Sequence, residues 1–63
     1  MEVKDIRFIR IKDDIFNLRE VICIFKYNTS DIGIDYKNGD GRIIEFDTPE
    51  ERDEEFERIE KIL

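Results

Sequence analysis

The period of the apolar positions changes once along the chain. Between residues 6 and 47 they alternate with polar ones or gather in short runs; from residue 49 they recur three and four apart. The first habit suits strands and the second a helix. Ile32-Gly33-Ile34-Asp35-Tyr36 alternates cleanly, with Ile32, Ile34 and Tyr36 on one face. Asn38-Gly39-Asp40-Gly41 follows and predicts a hairpin, because glycine tolerates positive φ. Arg42 to Asp47 is then the return strand. Val21 to Tyr27 is apolar on both faces, with Val21, Cys23 and Phe25 on one and Ile22 and Ile24 on the other. Such a strand is expected in the middle of a sheet, covered on two sides. Nearer the start, Ile6 to Lys12 reads as a strand and Asp13-Asp14 as a turn. Ile15 to Leu18 opens a second segment, which Asn17 to Glu20 interrupts as a bulge or single turn before Val21. Asn28 to Asp31 is a polar turn.

The helix is predicted over Pro49 to Ile62. Thr48-Pro49-Glu50-Glu51 is a capping box: the Thr48 hydroxyl accepts the Glu51 amide, and the Glu51 carboxylate reaches back to the Thr48 amide. Pro49 takes the first helical position, where its missing N–H is no loss. Glu54–Arg58 and Glu57–Lys61 are spaced as ion pairs. Phe56, Ile59, Ile62 and Leu63 make the apolar stripe, so the charged first two turns are expected to dock less firmly than the second half.

Short connections between successive strands imply an antiparallel meander. The predicted fold is α+β: a four-stranded β-meander with one C-terminal helix packed on one face, ββββα, in a single domain over residues 1–63. One helix covers one face of a sheet, yet isoleucine or phenylalanine occurs at both parities of three strands. The uncovered side is expected to meet another protein, most simply a second copy in a dimer. Ile6, Phe8, Ile22, Ile24 and Ile43 are the interface candidates.

Composition narrows the chemistry. The 63 residues carry 17 acids, 11 bases and no histidine, for a net charge of −6. Twelve of the acids and five of the bases lie in residues 28–63, so that half is an acidic body which repels nucleic acid and anionic membrane. No apolar run approaches a membrane span, and Glu2, Lys4 and Asp5 interrupt any signal-peptide core, so a cytoplasmic protein is expected. The single cysteine, Cys23, excludes an intrachain disulfide and multi-thiolate metal sites. Without a histidine to activate it, and within an apolar strand, Cys23 reads as a buried structural thiol.

Other candidates have plain structural readings. Asp13-Asp14 is turn chemistry, and the acidic helix face is a solvated one. The Asn38–Asp47 region departs from a calcium loop at its first and last ligand positions. Phosphate-binding glycine loops are absent, and nucleophile–base pairs have no parts, so no enzyme and no cofactor are expected. The one basic cluster is Lys4, Arg7, Arg10 and Lys12, with Arg19 and Lys26. With Phe8, Tyr27 and Tyr36 as stacking partners it forms the alternative reading, a module binding single-stranded nucleic acid. Interspersed acids make that the less expected partner.

The runs Phe8-Ile9-Arg10-Ile11, Phe16-Asn17-Leu18-Arg19-Glu20-Val21, Ile32–Tyr36 and Asn38-Gly39-Asp40, with the closing glutamate-rich helix, resemble a pattern of short bacterial and phage proteins. These carry a meander and a C-terminal helix, and the resemblance implies a fold without a functional residue. In layout, ββββα also resembles the single-strand-binding coactivator type, whose dimers grip DNA on a sheet face; this chain departs from it in its acidic charge.

Overall fold

The computed structural model describes residues 7–63; Lys4 and Ile6 lie outside the described residues. Strands β1 (Phe8–Ile11) and β2 (Asp14–Asn17) form an antiparallel hairpin that pairs Ile9 with Phe16 and Arg10 with Ile15. Lys12, in its turn, has φ 56°, a left-handed conformation that costs a non-glycine residue roughly 1–2 kcal/mol. Two contacts offset that cost. The Lys12 ammonium donates to the Glu45 carbonyl at 2.5 Å and lies 4.8 Å from the centre of the Phe46 ring.

A single 3-10 turn, Leu18–Glu20, follows β2, with the Asn17 side-chain oxygen accepting the Arg19 amide at 3.0 Å. This is the interruption expected between Asn17 and Glu20. Strands β3 (Val21–Tyr27), β4 (Asp31–Tyr36) and β5 (Gly41–Glu45) then form an antiparallel sheet in the order β3-β4-β5, and helix α1 spans Pro49–Ile62. The Asn38–Asp40 turn between β4 and β5 closes as its sequence predicts. The Asn38 side-chain oxygen accepts the Asp40 amide at 2.9 Å, and Gly39 takes φ 96°.

The α+β class, the antiparallel pairing and the C-terminal helix agree with the sequence pattern. The strand arrangement differs: five strands form a pair and a trio, where four were expected in one sheet. The 3-10 turn is the cause, because it breaks the extended path between β2 and β3. The hairpin instead lies against β5. Arg42 Nη2 meets Asp14 Oδ2 at 2.6 Å, and its guanidinium sits 5.7 Å from the centre of the Phe16 ring. One expectation is thereby corrected. β3, the strand apolar on both faces, is the edge of the trio and not its middle. β4 is the central strand because the short turns at its two ends give it both neighbours.

Ile9, Ile11, Phe16, Ile32, Ile34, Ile44 and Ile59 form the buried core, so hairpin, sheet and helix all contribute. The sheet face carrying Ile24, Ile32, Ile34 and Ile44 is therefore the one beneath the helix. Helix α1 begins at its predicted cap: the Glu51 amide donates to the Thr48 hydroxyl at 3.1 Å. The reciprocal contact runs from that hydroxyl to the Glu51 carboxylate, at 3.3 Å. The first half of the helix docks through a group that its charged sequence concealed. Arg52 is buried at 8% exposure, and its guanidinium donates to the carbonyls of Thr29 at 3.0 Å and Asp31 at 2.9 Å. It thus holds the β3–β4 turn. Arg58 turns toward the hairpin, bonding Glu55 at 2.6 Å and the Arg10 carbonyl at 2.6 Å, so the expected Glu54–Arg58 pair gives way to Glu55–Arg58. Among the described residues no helix is long and apolar enough to cross a membrane.

Candidate interaction surface

The sheet face away from the helix is built by strand alternation. Along β3 it takes Cys23, Phe25 and Tyr27; pairing sets Phe25 beside Gly33 and Gly33 beside Ile43. The Phe25 ring lies over Gly33 and leaves no room there for a Cβ, so the glycine is the seat for the ring. Phe25 and Tyr27 meet edge to face, with ring centres 6.2 Å apart. Ile43 completes the row and is 45% exposed. Acids flank it: Asp31 and Glu45 pair beside Tyr27, and Asp35 pairs with Cys23. The outer face of the hairpin carries Phe8, Arg10 and Ile15, with Phe8 59% and Ile15 69% exposed.

The interface candidates therefore separate. Phe8, Ile22 and Ile43 are exposed. Ile22 lies where the β3–β4 register shifts between Val21 and Cys23, which parts it from Ile24. Ile24 turns to the helix side and packs on the core, so it is not part of the outer sheet face. Ile15, exposed, was not among the interface candidates, although its alternation with Phe16 was available to show it, and Leu63, expected in the apolar stripe of the helix, is exposed as well.

Cys23 is exposed, which corrects its reading as a buried thiol. The reason is the edge position of β3. Partial loss of solvation, with the Asp35 carboxylate accepting its thiol at 3.6 Å, raises the Cys23 pKa and keeps the thiol protonated. The basic candidates do not act as one group. Lys12 is engaged with Glu45 and Phe46, whereas Arg10 Nε donates to the Lys12 carbonyl at 3.1 Å. Arg7 and Arg19 are exposed. Lys26 reaches the helix, 3.4 Å from Asp53 and 5.4 Å from the centre of the Phe56 ring.

Two depressions stand out among the described residues. One, of about 450 Å³, is lined by Lys12, Phe46, Glu51, Glu54, Glu55 and Arg58. Hydrogen bonds from Arg58 hold the Glu55 carboxyl below its ordinary pKa, so these two charges offset each other within the cleft. The other, of about 240 Å³, is apolar and lined by Leu18, Val21, Ile22, Cys23, Ile24 and Leu63. On the helix, Asp53 is likewise held below the usual carboxylate range, first by its hydrogen bond from Arg52 and then by Lys26. Among the described residues no three His, Cys, Asp or Glu side chains are grouped to hold a metal ion. No protein-family model, curated protein or solved structure matches the chain.

Proposed function

We propose that this protein is a small, non-enzymatic interaction module of the cytoplasm that associates with itself through its outer sheet face. The observation that carries the reading is the row Phe25–Gly33–Ile43, with Tyr27 beside it, on a face that α1 does not cover. Apolar groups aligned across strands stabilise a contact more than the same groups scattered singly. Charge supports a second copy as the occupant. The outer sheet face is rimmed by Asp31, Asp35 and Glu45, and the hairpin face carries Arg10 among Phe8 and Ile15. A two-fold pairing of sheet face with hairpin face joins unlike charges around apolar centres.

Sedimentation at micromolar concentration tests this. The wild type is expected above its 7.7 kDa protomer mass. Ile43→Lys, which places an unpaired charge in the contact, should give a folded protomer. A wild type that sediments as the protomer at all concentrations contradicts the reading.

A further inference from the structure

We propose that the outer edge of β3 is a docking site for an extended, basic segment of another protein, which adds to the sheet as a further antiparallel or parallel strand. This site uses the main-chain groups of the strand edge and adjoins the outer sheet face at Phe25 and Tyr27. β3 has seven residues and, among the described residues, pairs only with β4. Half of its amides and carbonyls therefore point away from β4, and among the described residues no second strand meets them. The opposite edge, at β5, is guarded by the hairpin through Arg42–Asp14 and Lys12–Glu45. On β3 the side chains that commonly protect an edge are missing or engaged. It has no proline, and its one charged residue, Lys26, is drawn to Asp53 and Phe56 on the helix. The apolar groove of about 240 Å³ runs beside its first half, between Ile22, Ile24 and Leu63. The sequence of β3 is that of a strand with neighbours on all sides, and the described residues supply a neighbour on one edge.

Charge selects the occupant. The Lys26–Asp53 contact sets Asp53 on the β3 flank of α1. Glu57 and Glu60, one and two turns on, share that flank and are exposed. Asp35 flanks the strand on the other side of the sheet. A second copy pairing β3 with β3 about a two-fold would bring two such acidic helix flanks together. A strand that alternates basic and apolar residues sets its cations against Glu57 and Glu60, and its apolar side chains beside Phe25 and Tyr27.

The test uses capped seven-residue peptides and amide chemical shifts of the isotope-labelled full chain. The probe alternates lysine and valine; one control replaces lysine with glutamate, and another carries N-methyl groups on alternate amides. The lysine–valine peptide should bind saturably, move the amides of residues 22–27, and weaken as salt rises. The N-methylated peptide should bind about tenfold or more weakly, and Glu60→Lys should lower affinity several-fold while leaving the spectrum folded. Equal binding of the N-methylated peptide, or shifts confined to the acidic helix, would overturn the proposal. So would binding of the glutamate peptide, or β3 amides that become protected with rising protein concentration in the absence of peptide. The last result would assign the edge to a second copy. Failure of self-association in sedimentation would leave the peptide result unaffected.

Discussion

β3 and β4 pair along nearly their whole length, yet one holds the most buried residues of the sheet and the other holds none. Ile32 and Ile34 of β4 are fully buried, while Ile22, Cys23 and Tyr27 of β3 are exposed. By composition the order should be reversed: β3 has more apolar residues and β4 contains two aspartates and a glycine. The difference teaches that chain connection, more than apolar content, sets the place of a strand in this small fold. Short turns at both ends of β4 give it two neighbours. The 3-10 turn before β3 leaves the hairpin in a separate sheet, so that among the described residues β3 pairs with β4 alone.

The largest effects should come from reversing this contrast. Ile34→Ala empties a fully buried site and should destabilise by about 3 kcal/mol, a large share of a small domain's stability. Ile22→Ala, in the neighbouring strand, should change stability by less than about 0.5 kcal/mol. Chemical denaturation of both variants checks the pair. Equal losses would mean that β3 is as enclosed as β4.

Arg52→Met comes next. The guanidinium, itself buried, joins α1 to the β3–β4 turn, so removing its donors from the Thr29 and Asp31 carbonyls should cost about 2 kcal/mol. The loss should appear first as faster amide exchange around residues 28–31. Its position was not legible from the sequence. Within Glu50–Glu55, Arg52 looked like one more solvated charge, and only the turn it meets in space shows otherwise. The neighbouring cap is the reverse case. Thr48, Pro49 and Glu51 act locally, so their spacing was sufficient to place the helix start. Thr48→Ala should cost about 1 kcal/mol, read as a melting midpoint lower by several degrees.

The sequence was most informative where interactions are local: the cap, the Asn38–Asp40 turn, the alternation of β4 and the pause before Val21. It was misleading where a residue's surroundings depend on distant pairing. Cys23 looked buried because its neighbours in sequence are apolar, and Ile24 looked like a companion of Ile22 because strand parity was assumed unbroken. The register shift between Val21 and Cys23 separates the two. Phe8 and Ile43 are exposed and each alternates with buried partners, but parity alone did not say which side would be open.

The smallest effect distinguishes the two flanks of the helix. Asp53 and Glu55 both have folded-state pKa values below their ordinary ones, through Arg52 with Lys26 and through Arg58 respectively. Groups lowered on folding contribute stability above their unfolded pKa, about 4, and lose it as pH falls through the folded value. Melting midpoints should therefore fall below about pH 4. Glu55→Gln should flatten part of that fall, and the pH dependence should weaken in high salt.

Among the described residues β3 is paired along one edge, whereas β4 is paired along both. Residue-resolved hydrogen exchange at a protein concentration low enough for the protomer tests this contrast most directly. All the amides of β4 should be protected, whereas protection along β3 should alternate, with the outward amides exchanging much faster than the inward ones. Uniform protection from Ile22 to Tyr27, equal to that of β4, would contradict it.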